Sequence, residues 1–359
     1  MGITRIVVMT VSYPAGRGRD TVLPTQILGT TPGMDEQGPS AFVFAPDPLL
    51  TVTIEAGAEG GDEIHLHAGG QGFWVGRLIA ALGVPVSLCG PFGGETGRVA
   101  RLLIEQAGLA LRAVETAGSN GAYVHDRRGG ERIRVADTGP HALSRHEVDE
   151  LYGAALVGGL ESTVCVLGGP GPWDPPILPA DVYRRLAGDL RANGRLVVAD
   201  LRGEPLDCAL EGGLTVVKLS HDELVEEGRA DDNTVEALLP AMARLRDSGA
   251  DHVLVTRAED PALVLAGDEI FEVVPPPLEA VDHRGAGDSM TAGLAAGMAR
   301  GQDFEEALRL GAAAGGLNVT RRGLATGDRR EIERLAAHIE LRPWGSVTGG
   351  RATAERRSG

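Results

Sequence analysis

Apolar residues in this chain gather into short runs, and their spacing switches repeatedly between two registers. Runs rich in Val, Leu and Ile, bounded by Gly, Pro or charged residues, predict strands at VPVSLCG (84–90), VCVLGG (164–169), RLVVAD (195–200), LTVVKLS (214–220) and HVLVTR (252–257). Between them, apolar residues at helical spacing predict helices over Gly94–Ala107, Arg145–Leu156, Pro179–Ala192, Val235–Ser248 and Phe304–Asn318. Such alternation is the pattern of a mostly parallel sheet with helices on both faces. Two stretches break it: Leu50–Ala68 and Ala122–Ala136 read as β-hairpins, with Arg127-Arg128-Gly129-Gly130 as the second turn. Residues 1–40 open with a strand-like Ile6–Val11, followed by a Gly/Pro/Thr-rich stretch that reads as an extension or long loop. The domain proper spans 41–343, and 344–359 reads as a disordered tail.

The composition, 43% hydrophobic and 23% charged over 359 residues, is that of a globular chain. A net charge of −16 argues against nucleic acid or an anionic membrane as partner, so an anionic substrate would need a locally positive pocket. No apolar run is long enough to span a bilayer and no signal-peptide core is present, which points to the cytoplasm. Cys89, Cys165 and Cys208 are far apart and lack metal-ligand spacing, consistent with free thiols in a reducing compartment. Lys218 is the only lysine, and no glycine precedes it, so a Walker P-loop and the protein-kinase lysine arrangement are both ruled out.

The segment GAGDSMTAG (285–293) concentrates the chemistry. A helix starting near Gly285 would aim unpaired N–H groups and its positive dipole end at an anion. Asp288, in its first turn, would stand beside that anion's reaction partner. A cradle of Gly285, Ala286 and Gly287 with an Asp288 base is what phosphoryl transfer to an alcohol requires. The alternative is an ordinary Gly-rich helix start with a capping aspartate. On this reading the dipole holds Asp288 ionised, with a pKa at or below the usual ~4. His65 and His67 lie two apart on one strand face; a zinc pair would lack a third ligand nearby in sequence, leaving an ordinary histidine pair of the first hairpin.

Four blocks in order carry a family resemblance: His67–Arg98 around HAGGQGFWVGR, Val197–Leu206 with Val216–Leu224, Val281–Gly293, and Ala307–Gly327. Together they resemble the ribokinase-like sugar kinases, particularly the phosphofructokinase B branch, over about residues 41–340. The resemblance implies a three-layer α/β/α sandwich with a mostly parallel central sheet. It also implies a small β lid (within 50–68 and 122–136) that covers the sugar and pairs with a second subunit. It implies ATP- and Mg²⁺-dependent phosphorylation of a hydroxyl on a sugar, sugar phosphate or sugar-like substrate; the rival is a non-catalytic regulator that kept the fold.

By the same resemblance Lys218, Ser220, Thr256 and Arg257 bind the nucleotide phosphates, Asn318 and Gly323 border the adenine, and Glu223 orders water around Mg²⁺. Gly69, Gly70 and Gln71 approach the substrate, with Asp47 or Thr51 at its hydroxyls. The departures are local. Leu219 and Ser220 replace proline and asparagine, and Ala258 and Pro261 replace the two glycines of the phosphate loop. Thr51 stands where aspartate is usual, and neutral Gln71 where sugar-phosphate kinases carry lysine. An arginine expected near Asn120-Gly121 is also missing. These changes lead to the expectation of a neutral substrate pocket, provided that no lid arginine such as Arg132 or Arg134 fills the role of the missing cation.

Overall fold

Strand β1 (Ala41–Phe44) is buried on both faces: Phe42 and Phe44 join one apolar cluster, Ala41 and Val43 the other. The same parity rule divides the neighbouring strands, because successive side chains of a strand point to opposite faces. A computed structural model of the chain describes residues 38–57, 60–321, 327–348 and 351–354. After β1 come β2 (Leu49–Ala56), β3 (Asp62–Gly69), α1 (Gln71–Ala81), β4 (Val86–Gly93), α2 (Gly94–Gln106), β5 (Ala110–Thr116), β6 (Ala122–Asp126) and β7 (Ile133–Thr138). The middle of the chain forms α3 (Arg145–Leu160), β8 (Val164–Gly168), α4 (Asp181–Ala192), β9 (Leu196–Asp200), α5 (Gly203–Gly212), β10 (Leu214–Ser220), α6 (His221–Glu226) and α7 (Val235–Asp247). The remainder is β11 (Ala250–Arg257), β12 (Asp260–Ala266), β13 (Glu269–Val274), α8 (Ala286–Ala299), α9 (Phe304–Val319), α10 (Arg329–Ala336), β14 (Glu340–Thr348) and β15 (Arg351–Ala354).

The large sheet has eleven strands in the order β15-β14-β13-β12-β11-β10-β9-β8-β1-β4-β5. From β11 to β5 all pairings are parallel, and from β11 outward to β15 they are antiparallel. One face carries α1, α8, α9 and α10, and the other α3, α4, α5 and α7, giving the expected three-layer sandwich. A separate sheet, ordered β3-β2-β6-β7, contains both hairpins; β2 and β6 join them in parallel. Among the described residues, every predicted strand and helix named above is present within a few residues of its predicted ends; the strand-like Ile6–Val11 lies outside them.

Two boundaries need comment. Residues 1–37, most of the proposed extension, lie outside the described residues. The expected tail from 344 onward begins as paired strand, not as disordered chain: β14 runs to Thr348 against β13, and β15 pairs with β14. The physical reason is that β13 would otherwise leave an open edge of unpaired backbone groups.

Candidate active site

Helix α8 starts from Gly285, whose φ of 74° is the left-handed conformation that glycine adopts without steric cost. The helical ladder begins with Ser289 N–H donating to Gly285 O at 2.9 Å, while Ala286 N–H reaches His283 O at 3.4 Å. Gly287 and Asp288, inside the first turn, have N–H groups with no intrahelical acceptor. Gly287 is also needed for space, since a Cβ there would stand 2.6 Å from Lys218 Nζ. Lys218 comes from β10 and pairs with Asp200 at the end of β9, at 3.2 and 3.1 Å to its two oxygens. Thr291 Oγ1 donates to Asp200 Oδ2 at 2.7 Å, so this buried carboxylate holds both β10 and α8. Burial works against the Lys218 charge, yet Asp200, Glu223 and Asp288 together outweigh it and hold its pKa above the ordinary lysine value.

Asp288 departs from expectation. Its pKa is pushed up to about 7, first by desolvation and next by the charge of Asp200; Lys218 and a hydrogen bond from Gln71 pull it down, and Glu223 adds a further push upward. The dipole argument fails on magnitude. A helix terminus contributes about 0.3–1 kcal/mol, whereas burial moves a carboxyl by up to several pKa units.

Two concavities meet at this helix start. The first has a volume of about 390 Å³ and lies between the small sheet, α1 and the loop before α8. Thr51, Gly69 and Gly70, named above as substrate contacts, are on its wall. Its electrostatics overturn the neutral pocket. Arg77, Arg127, Arg132 and Arg284 converge on it, against only Glu55 and Asp282 among its lining carboxylates. Arg127 pairs with Glu55 at 3.2 Å and Arg284 with Asp282 at 2.6 Å. Arg132 instead contacts His125 Nδ1 at 3.2 Å, and burial together with Arg284 and Arg127 pushes its pKa down. His67 faces the cavity and stacks on His65 at 6.2 Å; burial lowers its pKa, keeping the ring neutral at neutral pH.

The second concavity, about 870 Å³, brings together Lys218, Ser220, Glu223, Thr256, Arg257, Ala286 and Gly287 from four separate segments. Ser220 and Glu223 form a reciprocal capping box at the start of α6, with Ser220 N–H donating to Glu223 Oε2 at 2.7 Å. This explains why serine suits the position. Ala258 takes φ 49°, so the β11–β12 turn keeps a glycine-like shape without glycine. Arg257 is engaged elsewhere: it donates to Pro261 O at 2.7 Å and pairs with Glu272 at 3.2 Å.

Three expected contacts sit elsewhere. Asn318 is buried behind the second cleft, where its Nδ2 donates to Arg284 O at 2.7 Å and ties α9 to the cradle loop. Asp47 is buried, with Oδ2 accepting from Gly171 N–H at 2.9 Å and Trp173 Nε1–H at 2.7 Å; burial raises its pKa. Gln71 is not on the cavity wall and accepts from Gly169 N–H at 2.8 Å. Gly323 lies outside the described residues. Sequence reasoning missed Arg77, Arg127, Arg284 and Asp200 as site residues. The basic hairpin turn and an arginine immediately before Gly285 were the available signals.

A helix-start anion cradle with a carboxylate, with one cleft toward the small sheet and α1 and another toward β10, α6 and the β11–β12 turn, defines a phosphotransferase that brings a small alcohol against a phosphate. A pfkB family carbohydrate kinase domain matches residues 51–330, and the chain belongs to that family. It is 31% identical to the 1-phosphofructokinase of Bacillus subtilis (strain 168) over 263 residues, covering 72% of this chain and 84% of the relative. It is 28% identical to the ATP-dependent 6-phosphofructokinase isozyme 2 of Escherichia coli (strain K12) over 276 residues, covering 76% and 87%. The crystal structure of phosphofructokinase-2 from Escherichia coli in complex with potassium superimposes with a TM-score of 0.72 at 25% identity, covering 83% of this chain and 98% of that one. Arabidopsis thaliana ribokinase, complexed with ribose and ATP, shares the fold with a TM-score of 0.62 at 22% identity, covering 84% and 99%. The chain is a sugar kinase with a ribokinase-like fold.

Proposed function

We propose that the protein transfers the γ-phosphoryl group of ATP, with Mg²⁺, to a hydroxyl of a sugar phosphate. The arginine-lined cavity before the start of α8 carries this reading. Within a chain of net charge −16, this one cavity has an excess of two positive charges among its lining arginines and carboxylates. That matches a phosphate dianion already on the substrate. The anionic end lies among Arg77, Arg132 and Arg284, and the acceptor hydroxyl points toward α8. Asp288 takes the hydroxyl proton; a base with a pKa near 7 suits this better than one near 4. The N–H groups of the Gly285–Gly287 cradle receive the charge of the transferring phosphoryl group, with Lys218 held close behind Gly287.

The donor set suits magnesium in one particular manner. Among the described residues no group of three or more His, Cys, Asp or Glu is arranged to hold a metal directly. A carboxylate such as Glu223, reaching a hydrated ion through water while phosphates supply the other oxygens, is the arrangement Mg²⁺ favours. When bound, the ion neutralises phosphate charge. The regulator alternative rested on the lost loop glycines, and the preserved turn at Ala258 weakens it.

A second copy is the proposed partner of the small sheet. Its outer face presents Ile64, Leu66 and Ile133, which are 68%, 48% and 57% exposed. ADP release should be measured across fructose 1-phosphate, fructose 6-phosphate, free sugars, cyclitols and nucleosides. Sugar phosphates are expected to be preferred, with Arg132→Gln raising their KM about 10–100-fold, the worth of one charged hydrogen bond, at unchanged KM for ATP. A preference for an unphosphorylated acceptor would overturn the reading.

A further inference from the structure

Helices α1 and α8 pack against each other, and each begins at a glycine in the left-handed region, Gly70 at φ 93° and Gly285 at φ 74°. Gln71 is the first residue of α1, so its side chain leaves the helix where α8 starts. Its Oε1 accepts the Gly169 N–H at 2.8 Å, just beyond β8. With the oxygen so committed, the amide NH2 is the end left to turn toward α8, close enough to Asp288 to favour its carboxylate as a donor. The residue thus joins β8, α1 and α8, away from the arginine-lined wall.

We propose that Gln71 is a positioning residue for Asp288: its amide, anchored by Gly169, orients the carboxylate toward the acceptor hydroxyl and favours its ionised form. This rests on the reading of Asp288 as the base. The charged groups facing that carboxylate are Asp200 from β9, Lys218 from β10 and Glu223 from α6, and Gln71 adds a neutral donor from α1. Lysine at position 71 would meet Asp288 before it met any substrate phosphate. A substitution that looks like the restoration of a phosphate ligand would therefore act on the base.

The test compares Gln71→Met, of similar length without the hydrogen bond, with Gln71→Lys. For Gln71→Met, kcat falls about 3–30-fold, KM for both substrates stays within about twofold, and the acidic limb of kcat/KM moves up by about one pH unit. For Gln71→Lys the limb moves down, because a cation favours the carboxylate. The ¹³C titration of the Asp288 carboxyl in ligand-free protein, assigned by its loss in Asp288→Asn, should shift in the same two directions. Unmoved limbs and carboxyl titrations, with an altered KM for the sugar phosphate, would make Gln71 a substrate ligand and overturn the proposal. If the unmodified protein turns over no sugar phosphate, the functional reading fails while the carboxyl titration still decides the role of Gln71. Should Gln71→Met not fold, the opposite shift in Gln71→Lys carries the same decision.

Discussion

A carboxylate whose folded pKa lies above its unfolded value leaves a signature in stability as well as in catalysis. Asp288 titrates at about 7 in the folded protein against an ordinary 3.8. Between those values the folded state holds a proton that the unfolded chain has released. Stability therefore falls as pH rises from about 4 to 7 and is flat above. Asp288→Asn removes that loss. Its Tm is expected to match wild type near pH 4 and to exceed it at pH 8, by up to about 4 kcal/mol of unfolding free energy, while turnover drops about two to four decades. Thermal melts at the two pH values decide the matter; equal offsets at both would show that Asp288 is not desolvated. The sequence singled out Asp288 as the candidate base but misjudged its ionisation, because its burial and the like charge of Asp200, 88 residues earlier, arise only through the fold. Gln71 was misread for the same reason: its partners, Gly169 and Asp288, come from two other segments.

Elements were more legible than contacts. The predicted strands stood out because a strand buried on both faces is continuously apolar, and the predicted helices because an amphipathic face repeats at helical spacing. Helix α1 escaped notice among the glycines of its motif, and β12, β13 and β14 were hidden because an antiparallel edge needs no long apolar run. The Ala/Gly run of α8, noted in the sequence for its lack of bulk, has a packing cause. A Cβ on Gly293 would lie 2.8 Å from both Gly311 Cα and Leu310 O, and one on Gly297 would lie 2.7 Å from Ala307 Cα. Helices α8 and α9 thus touch backbone to backbone, and neither atom set can swing aside as a flexible side chain would. Gly293→Val should destabilise the fold by at least about 1–3 kcal/mol, the cost of overpacking. It should also displace the start of α8, cutting kcat beyond what stability explains. Urea unfolding alongside kinetics separates the two effects, and unchanged values for both would contradict the close packing.

At the scale of the whole molecule, charge and hydrophobicity are sorted between the faces of the small sheet. One face turns Thr51, Thr53, Glu55, His67 and Tyr123 toward the arginine-lined cavity. The strand register places Val52 opposite Leu66 and Ile54 opposite Ile64 on the other face, continued by Val124 and Ile133. A sheet polar on its site face and apolar on its outer face is half of a sandwich, and exposed apolar patches of this kind mark association surfaces. The remaining half is proposed to be a second copy. Arg127 and Arg132 stand at the β6–β7 end of the sheet, so its support should matter to anion binding as well as to assembly. Leu66→Asp combined with Ile133→Asp leaves every cavity residue in place and puts two carboxylates on the outer face. The wild type is expected to sediment as a dimer and the variant as a monomer, with KM for the sugar phosphate raised at least about tenfold, as loss of one charged contact would give, and KM for ATP nearly unchanged. A wild-type protein that stays monomeric at tens of micromolar (on the order of its assay concentration, where interfaces of ordinary size persist) would leave the outer face without the proposed partner.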